Sequence, residues 1–276
     1  AVATLAMAGF ASAASATPGP GQNGAPQKGS LTIHKLSGAQ GEPGNGTVQE
    51  VAGDPLNDVK FTIWRLGKTV DASCVPLDLA DTSAWASVPT GAAPATLEAV
   101  EAAGFCLLDT AGSTGITAGE GLLTFGSLGL GLYYVQETDS SDATSAATGD
   151  PVDVVSESAP FYVSVPLPNS GDWIYDVHVY PKNQVLDAPT KTINPDGDQT
   201  GFVVGDTVQY TITQTVPALN AGQTYASASI WDILPSDTLA YAATTSVTLN
   251  GANLGHTVDP TGVTWTLTPA ALPTLK

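Results

Sequence analysis

Basic residues are scarce. The 276-residue chain has eight Lys and Arg together against 26 Asp and Glu, for a formal net charge of −18. Nucleic acid and anionic membrane surfaces are bound through Lys and Arg, so this deficit argues against both as partners. There are two cysteines and three histidines. His34, His178 and His256 lie far apart, with no Cys or His at ligand spacing, and no metal site is expected. No nucleophile elbow, phosphate-binding loop or zincin motif occurs, so neither a turnover enzyme nor a cofactor is expected. The most apolar run lies at the N-terminus and is short for a membrane span, so no membrane association is expected of the mature form.

What remains is rich in Gly, Pro, Thr, Val, Ala and Ser, with 29 Gly and 20 Pro. Short strands joined by turns follow from such a composition. Residues 1–16 look like the apolar core and small-residue end of an export signal, with Ala14-Ser15-Ala16 as a cleavage site. Residues 17–29 read as a flexible leader. Export permits a disulfide, and Cys74 and Cys106 allow one intramolecular pairing. The alternative, a catalytic thiol, needs a neighbouring base, and neither cysteine lies in a recognisable motif.

Strand-like alternation recurs from residue 30 to 183, interrupted by an insertion at about 70–120 that holds a short helical stretch at 95–103. Ser140 to Ser158 is polar and reads as a mobile loop. A linker at 184–190 leads to a second run of strands over 191–276. Strand after strand with little helix predicts an all-β chain of two sandwich domains. The second domain reads as incomplete, because no closing signal precedes Lys276.

Side chains on a strand alternate between faces. In Trp173-Ile-Tyr-Asp-Val-His-Val-Tyr-Pro-Lys-Asn183, one parity holds Trp173, Tyr175, Val177, Val179, Pro181 and Asn183 and should face a core. The other holds Asp176, His178, Tyr180 and Lys182. Lys182 is therefore expected in solvent, as an intermolecular nucleophile, and Asn183 inside. By the same rule Lys35 lies inward with Leu31 and Ile33, and Glu137 with Tyr133 and Val135. A lysine, a carboxylate and an amide would meet in an apolar interior, where each alone is costly. There a neutral amine can attack the amide, release ammonia and leave a Lys–Asn cross-link, with Glu137 moving the protons. In the second domain Lys191 and Asp232 fall on inward parities, and the Asn partner would lie beyond Lys276.

The Tyr180-Pro181-Lys182 ending, with Trp173, Val177 and Val179 before it, resembles the pilin motif of Gram-positive sortase-assembled pili. The Lys35, Glu137, Asn183 order and Tyr133 to Thr138 are similar to the immunoglobulin-like, collagen-adhesin-type domains of those pilins, although no Ala-Pro follows Glu137-Thr138 directly. The Lys191 and Asp232 pair is similar to part of the corresponding set in second pilin domains. The resemblance implies a structural subunit on the cell wall of a Gram-positive bacterium. It implies Lys182 as the acceptor of sortase transpeptidation, and a covalent polymer of identical subunits. The implied partners are a pilin-class sortase, a tip adhesin and a host glycoprotein. The competing reading is a monomeric wall-anchored adhesin that binds a host glycoprotein or matrix protein and has no use for Lys182.

Overall fold

The computed structural model describes residues 16–193, 202–219, 223–244, 246–259 and 263–275. Residues 1–15 of the expected export signal lie outside the described residues. The chain divides into two compact units. The first runs to Val152 and takes in Glu157–Asn183, and the second is Asp153–Ser156 with Gln184–Lys276.

The first unit opens with β1 (Lys28–His34), β2 (Leu36–Ser37), β3 (Leu56–Asn57), β4 (Lys60–Val70) and β5 (Ser73–Pro76). The insertion follows, with helix α1 (Leu97–Ala102). Next come β6 (Cys106–Leu107), β7 (Ser113–Ile116), β8 (Leu122–Gly129), β9 (Gly131–Asp139) and β10 (Thr144–Ser145). After β11 (Val154–Ser156), which belongs to the second unit, come β12 (Phe161–Val165), β13 (Leu167–Asn169), β14 (Asp172–Ile174), β15 (Asp176–Val179) and β16 (Lys182–Val185), whose last two residues belong to the second unit.

Two sheets form the sandwich. In one, β1 lies between β8, antiparallel, and β15, parallel. In the other, β9 lies between β12 and β4, with β5, β6 and β7 on the far side of β4. Leu31, Ile33 and Val177 of the first sheet and Phe61, Ile63 and Val135 of the second are buried. Each such side chain contributes about 1.5–3 kcal/mol relative to exposure. The parallel pairing of β1 with β15 sets the beginning of the unit beside its end.

Strand β4 is buried on both faces. Phe61 and Ile63 point one way, opposite Glu137 and Val135 of β9. Trp64 and Leu66 point the other way, with Tyr134 and Leu132, into a second apolar cluster completed by Leu77, Leu79, Val100 and Phe105. The insertion thus packs as a lid on the outer face of the sheet. Helix α1 is capped by the Thr96 hydroxyl, which accepts from the Ala99 N–H, and the chain turns out of it at Gly104 with φ +86°. Positive φ is readily reached by glycine, which suits a helix end. Cys74 and Cys106, opposite Thr69 and Gly67 of β4, are joined as a disulfide.

Two expectations about loops change. The leader is not free: the Tyr175 hydroxyl donates to Pro18 O, and Gly19 abuts the Trp173 ring so closely that a Cβ would sit 2.6 Å from Nε1. Ser140–Ser158 is also tied down, with Ala143 buried and β10 paired to β3. Its many Ser, Thr and Asp side chains satisfy backbone groups locally, which sequence polarity alone does not distinguish from mobility.

The second unit is built from small sheets: β17 (Thr190–Ile193) with β18 (Tyr210–Thr213); β19 (Ser229–Trp231) with β23 (Thr264–Leu267) and β22 (His256–Asp259); and β20 (Thr248–Leu249) with β21 (Ala252–Asn253). Among the described residues, no helix is long and apolar enough to cross a membrane.

Candidate functional site

Lys35 sits between β1 and β2, and its backbone is held on both sides. Its N–H donates to Gly121 O at 2.8 Å, and its carbonyl accepts from Leu56 N at 3.0 Å. Gly121 has φ +71°, and a Cβ there would lie 2.5 Å from the Lys35 carbonyl oxygen, so this approach requires glycine. With its backbone fixed, the side chain of Lys35 continues the inward row of Leu31 and Ile33 and is fully buried. Glu137 enters from β9 opposite Phe61, and Asn183 from β16, which pairs in parallel with β2.

The three functional groups meet. Lys35 Nζ donates to Glu137 Oε2 at 2.8 Å and to Asn183 Oδ1 at 2.5 Å. Asn183 Nδ2 donates to Glu137 Oε1 at 2.5 Å. Glu137 and Asn183 are as well buried as the lysine, and Lys35 Nζ lies 5.5 Å from the Phe61 ring centroid. Burial pulls the Lys35 pKa down to about 8, and the attraction of Glu137 opposes that shift without cancelling it. The carboxylate bridges amine and amide, one oxygen to each. Such an arrangement can accept a proton from the amine and deliver one to the departing amide nitrogen.

One further residue contacts the set. The Ser158 N–H donates to Asn183 Oδ1 at 2.8 Å and to Glu137 Oε2 at 3.1 Å, and its hydroxyl donates to Glu137 Oε2 at 2.6 Å. Sequence reasoning missed it, because it lies between strands in the polar run and shares no periodicity with a core. The one local signal is Ser158-Ala159-Pro160 directly before the alternating strand at Phe161.

Lys182 corrects the parity argument. It is buried rather than in solvent, with 8% exposure, although Asn183 points inward as expected. Strand β15 ends at Val179, and Tyr180-Pro181 breaks the alternation before β16. The face that should open to water is covered by residues 38–54. Lys182 Nζ donates to Ala52 O at 2.5 Å, and Lys182 N donates to Gln40 Oε1 at 3.1 Å. Tyr180 holds the same cover: its hydroxyl accepts from Gln49 N at 2.6 Å, and its ring stacks on His34 at 4.6 Å. His34 Nε2 and His178 Nδ1 share a hydrogen bond of 2.8 Å. Of the other motif residues, Val177 is buried and Trp173 and Val179 are half-buried.

In the second unit Lys191 Nζ donates to both carboxylate oxygens of Asp232, at 2.8 and 2.7 Å. The pair is not interior as expected: the Lys191 side chain is 37% exposed. Strand β17 pairs with β18 as a two-stranded ribbon, and all four of its residues are exposed. Among the described residues, no cluster of three or more His, Cys, Asp or Glu is placed to hold a metal.

Residues 26–184 match the family model described as Gram-positive pilin subunit D1, N-terminal domain. Fimbrial subunit type 2 of Actinomyces naeslundii is 32% identical over 94% of this chain and 48% of its own length. Fimbrial subunit type 1 of Actinomyces viscosus is 28% identical over 85% of this chain and 41% of its own. The full-length major pilin SpaD of Corynebacterium diphtheriae is a structural neighbour with a TM-score of 0.53 and 26% identity, covering 90% of this chain and 55% of that one. The chain therefore spans less than half the length of the two fimbrial subunits.

Proposed function

The chain belongs to the Gram-positive pilin subunits, structural proteins rather than enzymes, and from that premise we propose that it is the shaft subunit of a covalently polymerised surface pilus, with Lys182 as its acceptor. The domain at 30–183 is the N-terminal pilin domain, 184–190 is a linker, and 191–276 belongs to a second pilin domain. A pilin-class sortase holds the threonine of one subunit's sorting signal as a thioester. Lys182 Nζ of the next subunit attacks that carbonyl. An amide forms, the thioester breaks, and the enzyme thiol is regenerated. The polymer is anchored on the cell wall, where a tip adhesin and host glycoproteins are its further partners.

The observation that carries this reading is the position of Lys182 at the end of the matched region, directly after Tyr180-Pro181 and beside a buried cross-linking set. Its amine is covered, so transfer requires residues 38–54 to release it. The hydrogen bonds from Lys182 to Ala52 and Gln40, and from Gln49 to Tyr180, are the ones that break. Most of the cover itself is exposed, so its displacement uncovers little core.

The second part of the proposal is stabilisation by an internal bond. Lys35 Nζ attacks Asn183 Cγ, an Nζ–Cγ bond forms, the Cγ–Nδ2 bond breaks, and ammonia leaves with the proton that Glu137 relays. Support comes from the 2.8, 2.5 and 2.5 Å contacts among the three groups and from their burial. Lys191 and Asp232 supply the amine and carboxylate of the equivalent set in the second domain.

Tandem mass spectrometry of tryptic peptides from sortase-released polymer tests the acceptor. A branched peptide joining Lys182 to a C-terminal threonine is the expected result. Recovery of the Lys182 peptide only unbranched and in good yield would end the shaft reading and favour the monomeric adhesin.

A further inference from the structure

Asn183 Oδ1 has two donors: Lys35 Nζ at 2.5 Å and the Ser158 N–H at 2.8 Å. They cannot both serve through the reaction. Once Lys35 loses its proton and turns its lone pair on Cγ, its role on Oδ1 ends. At that moment negative charge begins to build on Oδ1, inside a site with Lys35 and Asn183 fully buried. A fixed main-chain N–H aimed at the oxygen is the kind of group that stabilises such charge without reorganising.

The hydroxyl of the same residue acts at the other end of the site. It donates to Glu137 Oε2 at 2.6 Å, the oxygen that also accepts from Lys35. Glu137 must keep Oε2 toward the amine and Oε1 toward Asn183 Nδ2 for one carboxylate to take a proton on one side and give it up on the other. The contacts of Oε1 with Asn183 and of Oε2 with Lys35 both change as the reaction proceeds, and the Ser158 hydroxyl is a contact to Oε2 from outside the reacting pair that restricts rotation about the last torsion. Ser158 is itself buried, between β11 and β12, at 7% exposure.

We propose that Ser158 takes part in the Lys35–Asn183 cross-linking reaction: its main-chain N–H is the donor to the developing oxyanion on Asn183 Oδ1, and its hydroxyl positions Glu137. This rests on the cross-link reading given above. The reaction follows the balance already stated. The neutral Lys35 amine bonds to Cγ through Nζ and passes one proton to Glu137 Oε2. Oδ1 carries the charge against the Ser158 N–H. Glu137 delivers the proton to Nδ2, Oδ1 returns the charge as the Cγ–Nδ2 bond breaks, and ammonia departs.

The whole chain, made by cell-free synthesis, allows closure to be timed by intact mass as the loss of one ammonia, with the branched Lys35–Asn183 peptide as confirmation. Three changes at position 158 separate the two roles. Ser158→Ala keeps the N–H and removes the hydroxyl, and closure should slow by roughly tenfold, less than the ~100-fold or more that a proton-transfer group itself supplies, because the hydroxyl only positions Glu137. Ser158→Thr restores a hydroxyl and should recover most of the rate. Incorporating the α-hydroxy acid counterpart of serine replaces the N–H by an ester oxygen, removing the 2.8 Å donor to Asn183 Oδ1 and the longer 3.1 Å contact to Glu137 Oε2 while keeping the hydroxyl, and closure should slow by about 100-fold or more. Melting temperatures and β-sheet circular dichroism of each product separate a slow reaction from a failed fold.

Equal rates for wild type, folded Ser158→Ala and the folded ester would overturn the role of Ser158 while leaving the cross-link standing. A rate lost in Ser158→Ala and not recovered in folded Ser158→Thr would overturn the hydroxyl's part. A wild-type chain that never loses ammonia would overturn the cross-link, and this role with it.

Discussion

Because burial sets the Lys35 pKa at about 8 rather than its ordinary 10.5, the rate of closure should depend on pH in a diagnostic way. The nucleophile is the neutral amine. With a pKa of about 8, roughly one amine in a hundred is neutral at pH 6, about one in ten at pH 7 and about nine in ten at pH 9. The closure rate should therefore rise about tenfold per pH unit from 6 to 7, bend near 8 and level off above 9, a total gain of roughly 90-fold. A solvent-exposed lysine would keep climbing to its ordinary value. The assay is the intact-mass time course on freshly synthesised chain moved into buffers from pH 6 to 10, with Asn183→Ala as the chain that cannot close. A rate that is flat from pH 6 to 8 would refute the reasoning, since the proton would then never leave the site. A rise continuing in a straight line past pH 9 would refute it too, since Lys35 would then titrate as though in water.

Other perturbations have equally definite outcomes. Lys182→Ala should abolish high-mass polymer ladders from cells carrying the cognate sortase, read by immunoblot, while leaving the melting temperature of the purified chain within a few degrees. Cys74→Ser with Cys106→Ser opens a loop with a sequence separation of 32 and should cost about 4 kcal/mol in denaturant unfolding of the first unit. Burial and the neighbouring His178 hold the His34 pKa below 6.5, so the unfolded chain binds the proton more readily. Stability from that pair is full above pH 6.5 and falls as the pH drops below it, and a His34→Gln chain should lose that part of the slope.

Strand parity made the buried meeting of Lys35, Glu137 and Asn183 legible. Lys35, Glu137 and Asn183 stand on strands whose period of two is unambiguous, and the rows they continue, Leu31 with Ile33 and Tyr133 with Val135, are buried. Lys182 was not legible. Parity names two faces but not what lies on the second, and the cover comes from residues 38–54, far away in sequence. Ser158 escaped for a different reason: a residue outside a strand has no period, and its place is held by hydrogen bonds to Glu137 and Asn183. The double burial of β4 is half visible, in Trp64 and Leu66 alternating with Phe61 and Ile63, yet only the folded insertion shows why both rows are apolar. In the second unit β18 spans only Tyr210–Thr213. Its neighbour β17 is exposed throughout, so side-chain burial does little to extend the ladder.

The adjacency of Lys182, Asn183 and Gln184 has a mechanical meaning. With Lys182 as the acceptor, tension from one neighbouring subunit enters through its side chain and passes toward the next through the backbone beyond Asn183. The stretch of covalent chain under load in this unit is then a few bonds long, and residues 17–181 hang beside the load path rather than within it. Pulling on a polymer would leave the sandwich folded. Only a shorter or unpolymerised chain, gripped at its N-terminal end, would bring β1 under strain, and there the Lys35–Asn183 bond would tie the first strand to the last and halt extension after a few residues.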